Sequence, residues 1–171
     1  MNQFKDWGFS TDWWQGKKGE YWVLGQAILS LGFVLLPVYT PTNFQLLAEQ
    51  NQLIIWAGTL VFGTIAVVLL IGGGLHLGEN LTPLPHPKQH SQLVTTGIYG
   101  IIRHPLYGGV VFLAIAYGFW QWSLAHLIGA VLLFVFFNFK ANREEIWLEN
   151  KFSDDYDDYR SRVKKLIPWL Y

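Results

Sequence analysis

Hydrophobic residues in this chain fall into four long stretches separated by short polar segments. The stretches cover residues 21–39, 53–75, 105–122 and 124–139, and the second carries no charged residue. A helix needs ~20 predominantly apolar residues to cross the hydrocarbon layer of a bilayer. The pattern predicts an all-α fold, an integral membrane helical bundle with about four transmembrane helices.

The last two stretches are separated by little more than residues 121–123. Two helices joined by so short a loop form a tight antiparallel hairpin. Ala114 and Gly118 on the first arm are four residues apart, as are Ala125 and Gly129 on the second. Small residues at this spacing let two helix backbones approach closely.

The segment from residue 140 to residue 171 is charged and has a helical pattern without a spanning run. It predicts a cytoplasmic C-terminal helical segment, and its last residues, KKLIPWLY, are typical of an anchor at the membrane surface. No repeat or linker divides the chain. We therefore expect one domain over residues 1–171, with a core motif region at 78–168.

The composition agrees with a membrane protein and narrows its chemistry. The chain is 51% hydrophobic and 14% charged, against a usual charged share of about 25%. Its formal net charge is zero, so no overall field attracts nucleic acid, and the expected partner is the lipid bilayer. Because cysteine is absent, disulfides, thiolate nucleophiles and cysteine-bound metals are excluded.

Basic residues predict the orientation in the membrane. Residues 40–52 and the hairpin turn contain none, so these segments lie on the side opposite the cytoplasm. The basic residues of the other side are Lys5, Lys17, Lys18, Lys88, Arg103, Lys140 and Arg143. Both termini and the loop at 76–104 are therefore expected to be cytoplasmic in a multi-pass protein. The first twenty residues lack the apolar core of a signal peptide, so we expect them to be retained.

The most concentrated polar chemistry is the motif GIYGIIRHPLYGG at residues 97–109. Pro105 is favoured at the first position of a helix and puts His104 at its cap. The free N–H groups of that first turn, with Arg103 beside them, form a site for a carboxylate or phosphate, and Tyr99 and Tyr107 add aromatic faces and hydroxyls. In the simpler alternative, the arginine snorkels to lipid head groups and the tyrosines belong to an aromatic belt.

A second polar cluster, NREEIWLE at residues 142–149, ends the fourth hydrophobic helix. In an antiparallel hairpin this end lies beside the first motif, so Arg103 and His104 can face Glu144 and Glu145. Carboxylates near a helix C-terminus oppose the helix dipole, which suggests a further role for them. The alternative is that the two glutamates only solvate the helix end.

The ordered combination of LVTTGIYGIIRHPLYGG, an apolar hairpin, REEIWLENKFSDDYDDYRSRV and a late proline resembles the isoprenylcysteine carboxyl methyltransferase family, in the phospholipid-methyltransferase-like superfamily. The resemblance implies a membrane enzyme that holds S-adenosylmethionine between the hairpin and the C-terminal helix, with a lateral opening for lipid. The implied cofactor residues, to which we add Glu145, are Leu93, Val94, Tyr99, His104, Pro105, Leu106, Tyr107 and Glu144. The family's substrate-binding basic residue falls on Lys140 or Arg143.

The function expected from this resemblance is methyl transfer from S-adenosylmethionine to a lipophilic or small acceptor at the cytoplasmic membrane face. The catalytic candidates are Arg103, Lys140, Arg143 and Glu144. A carboxylate acceptor is already ionised at neutral pH, so a basic residue need only orient it. A lipid amine or hydroxyl would need a base, for which His104 or a glutamate is available. Gly100, Ile101 and FSDDY depart from the family pattern, which affects the acceptor more than the cofactor.

Two other functions remain open from the sequence. A sterol-reductase-like enzyme using NADPH has a similar C-terminal half but usually more spans. A membrane subunit without enzymatic activity could hold haem or a metal through histidines. However, Pro87 interrupts the spacing of His86 and His90, and His126 inside the membrane is more typical of a hydrogen-bonded bundle histidine, so we predict no metal site.

Overall fold

The computed structural model describes residues 15–16, 18–88 and 90–171, and their regular secondary structure is helical. Lys5 and Lys17, which contribute to the predicted orientation, lie outside this part of the chain, as does most of the N-terminal segment that we expect to be retained. The helices are α1 (Glu20–Leu35), α2 (Thr42–Gln50), α3 (Gln52–Leu77), α4 (Pro105–Trp120), α5 (Leu124–Phe152) and α6 (Asp154–Arg162). Short 3-10 turns occupy Gly78–Asn80 and Gly97–Gly100.

Two helical segments are long and apolar enough to cross a membrane. They are Gln52–Asn80 and Leu124–Phe152, with 29 residues each. The other two predicted spans form apolar helices, α1 and α4, of 16 residues each, below the ~20 residues that a crossing helix needs. The first of these ends at Leu35 and not at Tyr39, since Pro37 disfavours helical geometry in the residue before it. That the chain crosses the membrane four times therefore remains a prediction.

Helix α4 lies between α3 and α5, and α1 packs against α5. The close approach of α3 and α4 depends on Gly109, where a Cβ atom would lie 2.7 Å from Cγ of Leu70. Gly129 on α5 similarly admits the ring of Phe33 from α1, at 2.9 Å. The central core of the bundle consists of Val111, Ala114, Ala130, Leu133 and Phe137.

Helix α5 continues well beyond the apolar stretch that predicted it. It runs without interruption from Leu124 to Phe152, so Lys140 and the NREEIWLE cluster belong to the same helix as the apolar residues. The charged segment was expected to be a separate element, but no glycine or proline stands between Lys140 and Ser153 to end the helix earlier. The polar cluster is consequently held on a rigid helix.

The connection between α4 and α5 is fixed by polar contacts to the end of α1. Ser123 Oγ accepts a hydrogen bond from the backbone N–H of Tyr39 at 3.1 Å and lies 2.9 Å from Nδ1 of buried His126. The His126 ring also packs on Phe33 and Tyr117. His126 thus has a hydrogen-bond partner at Nδ1, while its buried Nε2 has none among the described residues. Among the described residues no group of three or more metal-ligating side chains comes together.

The outer faces of the long helices remain apolar and exposed. Leu53 and Leu60 on α3 are 82% and 71% exposed, and Leu35 at the end of α1 is 72% exposed. Contiguous apolar surface on this scale is rare on soluble monomers and marks a surface that contacts lipid or protein. Within residues 15–16, 18–88 and 90–171, no further layer separates these faces from water.

Candidate active site

A cavity lies where the end of α3, the start of α4, the end of α5 and α6 meet. The segment joining α3 to α4, described at residues 78–88 and 90–96 and here called the strap, contributes to its wall. The empty space is about 810 Å³, a volume that includes the part open to solvent. The wall includes these predicted residues: Leu93, Val94, Tyr99, Arg103, His104, Pro105, Leu106, Tyr107 and Glu144.

Arg103 and Glu145 form the ionic centre behind this wall. The Arg103 guanidinium donates to Glu145 Oε1 from Nε at 3.0 Å and from Nη2 at 2.8 Å, and their side chains are only 8% and 4% exposed. Nη1 donates to the backbone carbonyls of Arg160 and Val163. The Arg103 guanidinium therefore donates to groups of the protein itself. These contacts connect the start of α4 with α5, with α6 and with the residue that follows α6.

His104 completes the ionic centre and begins the wall. Its Nε2 donates to Glu145 Oε1 at 3.1 Å, and its ring stacks in parallel on Tyr107 with 5.4 Å between centroids. The predicted facing of Arg103 and His104 toward the paired glutamates is therefore present. Pro105 begins α4, but the His104 side chain does not cap it. The first N–H groups of this helix remain available for a ligand.

The adjacent residues Glu144 and Glu145 have different surroundings and different contacts. Glu145 is enclosed by Arg103 and His104, whereas the side chain of Glu144 is 24% exposed and lies on the cavity wall. Glu144 Oε2 accepts a hydrogen bond from the Tyr107 hydroxyl at 2.6 Å. Of the two carboxylates that the sequence places together, Glu144 is the one positioned to contact a ligand.

Three buried tyrosines close the cavity on the side of α6. The hydroxyl of Tyr159 donates to the backbone carbonyl of Tyr99 at 2.7 Å, and that of Tyr99 donates to the carbonyl of Gly73 at 3.4 Å. The Tyr156 hydroxyl is buried on this wall without a hydrogen-bond partner among the described residues. Burial raises the pKa of all three hydroxyls above the usual value, so they stay neutral.

Tyr156 and Tyr159 were not predicted as site residues. Their spacing in DDYDDY puts them on one face of a helix, which the sequence alone marks only as an apolar face. Also missed were Leu148 and Phe152 at the end of α5. The strap residues Asn80, Thr82, Ser91 and Gln92 were missed as well, because nothing in their local pattern indicates that the segment returns over the cavity.

The strap is attached to the end of α5 by Lys151. The Lys151 ammonium donates to the Lys88 carbonyl and, at 2.7 Å, to Ser91 Oγ. Lys88 in turn donates to the carbonyl of Glu79 at 2.7 Å. These contacts hold Leu93 and Val94, which follow Ser91, against the cavity.

The two candidate substrate-binding cations are separated by the structure, and neither is on the cavity wall. Lys140 is 1% exposed, and its Nζ donates to Oε1 of Gln26 at 2.5 Å and lies 4.8 Å from the centre of the Tyr107 ring. Arg143 is exposed, and its guanidinium stacks 4.6 Å from the ring centre of Trp147. Only Lys140 is linked to the cavity, through Tyr107.

Comparison with known proteins links this geometry to a family. Residues 52–155, from α3 into α6, match the family model described as phospholipid methyltransferase. A protein-S-isoprenylcysteine O-methyltransferase of Schizosaccharomyces pombe is 35% identical over 105 residues, which cover 54% of this chain and 41% of the relative. The isoprenylcysteine O-methyltransferase B of Arabidopsis thaliana is 32% identical over 87 residues, 48% of this chain and 43% of the relative.

A probable protein-S-isoprenylcysteine O-methyltransferase of Oryza sativa subsp. indica is 27% identical over 151 residues, covering 85% of this chain and 77% of the relative. The chain spans less than half the length of the first two relatives. The matched region nevertheless contains both polar motifs and most of the cavity wall, and it extends over more than half of the chain. The chain therefore belongs to the phospholipid methyltransferase family.

Proposed function

We propose that this chain transfers a methyl group from S-adenosylmethionine to a lipophilic acceptor that carries a carboxylate. The observation that carries the proposal is the cavity between α4, α5, α6 and the strap. It lies largely within the region that matches the methyltransferase family, and its wall combines apolar, aromatic and charged groups. S-adenosylmethionine has a flat base, a ribose, a sulfonium and an amino acid group, so it needs such a mixture.

The donor set of the cavity fits this cofactor. Tyr156 offers a buried hydroxyl that lacks a partner among the described residues, which is costly unless a ligand or water satisfies it. The uncapped start of α4 suits a carboxylate. Glu144 suits the ribose hydroxyls or the ammonium group, while Leu93 and Leu106 supply apolar contact. When bound, S-adenosylmethionine supplies an electrophilic methyl group on a positively charged sulfur.

The chain's own residues contribute mainly by holding groups in place. The ion pair of Arg103 and the hydrogen bond of His104, both with Glu145, fix the start of α4 against α5, so we assign Arg103 and Glu145 to positioning. The stacked rings of His104 and Tyr107 cover part of the wall and exclude water. Methyl transfer is an in-line displacement, for which positioning in a dry site supplies much of the rate.

The acceptor is proposed to be the carboxylate of an isoprenylated cysteine or a group of similar chemistry. The relatives carry the name isoprenylcysteine O-methyltransferase, and an ionised carboxylate needs no base. Lys140 is the better candidate to orient it, because Lys140 is buried against Tyr107, whereas Arg143 is exposed on Trp147. Lipid amines and hydroxyls are the alternative acceptors.

We further propose that the protein is a multi-pass membrane protein whose cavity opens at the cytoplasmic face. The exposed apolar faces of α3 and α5 would contact lipid, and α1 and α4 would complete four spans. Basic residues near the cavity, among them Lys88 and Lys151, fit the cytoplasmic side, and both termini would lie there.

The test is methyl transfer by the purified full chain in lipid nanodiscs. Labelled S-adenosylmethionine is supplied with N-acetyl-S-farnesylcysteine, and the methyl ester is identified by mass spectrometry. We expect the ester to form and the Glu144→Gln variant to bind S-adenosylhomocysteine more weakly in calorimetry. If the wild-type chain neither binds the cofactor product nor labels the acid, the proposal is wrong.

A further inference from the structure

Gln26 of α1 holds a position that the sequence did not mark as functional. Its amide oxygen accepts a hydrogen bond from Lys140 Nζ at 2.5 Å, across 114 positions of the chain. Gln26 is half-buried, whereas Lys140 is 1% exposed. A neutral amide is thus the direct partner of a buried ammonium group beside the cavity.

The surroundings of Lys140 leave its ammonium group incompletely satisfied. An ammonium has three N–H donors. Among the described residues these meet the Gln26 oxygen and the face of the Tyr107 ring, 4.8 Å from the ring centre. Glu144 lies one helical turn further along α5, where its negative charge acts on Lys140 while its Oε2 accepts a hydrogen bond from the Tyr107 hydroxyl. Because leaving a buried charge without a partner is costly, a group that displaces the Gln26 oxygen has to accept the same hydrogen bond from Lys140.

We propose that Gln26 sets the affinity of the acceptor site for a carboxylate by occupying the place on Lys140 that an acceptor oxygen takes. The inference rests on the proposed function, since it assumes that the acceptor reaches Lys140. The incoming carboxylate displaces the Gln26 amide oxygen and accepts the hydrogen bond from Nζ in its place. Gln26 acts through Lys140 and is a positioning residue, with no part in the bond that forms.

This role predicts opposite effects of two substitutions at residue 26. Gln26→Glu supplies a permanent carboxylate that competes with the acceptor for Lys140, and charge-assisted hydrogen bonds are roughly twice as strong as neutral ones. Gln26→Met keeps a side chain of similar length but removes the competing oxygen. The KM for the acid should rise about tenfold with glutamate and fall severalfold with methionine.

The experiment measures KM and kcat for N-acetyl-S-farnesylcysteine with both variants in nanodiscs. Gln45→Glu makes the same chemical change on the exposed surface of α2 and should leave both constants unchanged. The Kd for S-adenosylhomocysteine, measured by calorimetry on each variant, should stay within twofold of wild type. A variant that still binds S-adenosylhomocysteine is folded. Each of the two variants is compared with the wild-type chain on its own.

The outcomes separate this inference from the function on which it rests. A higher KM for Gln26→Glu and a lower KM for Gln26→Met support the inference. If both variants raise KM equally, or neither changes it, while the wild-type chain methylates the acid, the inference is wrong and the proposed function stands. If the wild-type chain binds S-adenosylhomocysteine but does not methylate the acid, the proposed acceptor class is wrong, and the inference fails with it.

Discussion

The adjacent residues Glu144 and Glu145 allow the positioning and binding parts of the site to be separated by one kind of substitution. Glu145 is 4% exposed and accepts two hydrogen bonds from Arg103, at 3.0 and 2.8 Å, and one from His104 at 3.1 Å. Removing one partner of a buried ion pair costs ~3–5 kcal/mol, because the other charge stays buried. We therefore expect Glu145→Gln to unfold more easily than wild type.

The glutamine keeps the shape and one acceptor oxygen of the carboxylate. The free energy of unfolding should therefore fall by an amount near the lower limit of that range, about 3 kcal/mol. For a chain of this size, 1 kcal/mol corresponds to ~2–4 °C in Tm. The expected decrease in Tm is thus about 6–12 °C for Glu145→Gln.

Glu144→Gln is the matched control, since its side chain is 24% exposed and the amide oxygen of the glutamine can still accept the hydrogen bond from the Tyr107 hydroxyl. Its stability should change by less than about 1 kcal/mol. Its Kd for S-adenosylhomocysteine should rise roughly tenfold, since a hydrogen bond to a charged group contributes ~1.5–3 kcal/mol.

Both variants are measured in the same detergent by a thermal unfolding scan, followed by calorimetric titration below the unfolding range. The reasoning is refuted if Glu144→Gln loses as much Tm as Glu145→Gln. It is also refuted if only the Glu145 variant loses affinity while remaining folded.

Three further substitutions, and one control substitution, test other parts of the site and fold. Lys151→Met removes the hydrogen bonds that attach the strap to α5. The Kd for S-adenosylhomocysteine should rise severalfold in calorimetry, with little change in Tm. An unchanged Kd would mean that other contacts hold the strap. Tyr156→Phe deletes a hydroxyl that has no partner among the described residues, so thermal stability should be kept while cofactor affinity falls, and equal affinity would exclude this hydroxyl from the site. Gly109→Ala places a Cβ 2.7 Å from a side chain of α3 and should destabilise by about 1–3 kcal/mol. Gly74→Ala, where nothing lies within 4 Å, should be neutral or stabilising in the same scans.

The sequence predicted those features that depend on local pattern. Pro105 begins α4, and the apolar stretches are helical, because proline geometry and hydrophobic runs act over a few residues. The expectation that Arg103 faces the paired glutamates matches its contact with Glu145, but Arg103 makes no ion pair with Glu144 among the described contacts.

Contacts between distant segments could not be predicted in this way. Nothing local distinguishes Glu144 from Glu145, because their difference arises from the position of Arg103 and His104 on another helix. The sequence likewise left Lys140 and Arg143 equivalent. Their separation depends on α1, which contributes Gln26 through a contact 114 residues apart. The position of the strap beside the cavity likewise depends on contacts between distant segments, such as that of Lys151 with Ser91.

The most direct test of the central claim is to locate the methyl donor on the protein. S-adenosylmethionine with a labelled methyl group is cross-linked to the full chain in nanodiscs by ultraviolet light, and the labelled peptides are mapped by mass spectrometry. The account predicts label within residues 93–107 or 144–159, removed by excess S-adenosylhomocysteine. Label confined to the peptides of α1 or α2, or label that excess S-adenosylhomocysteine does not remove, would contradict it.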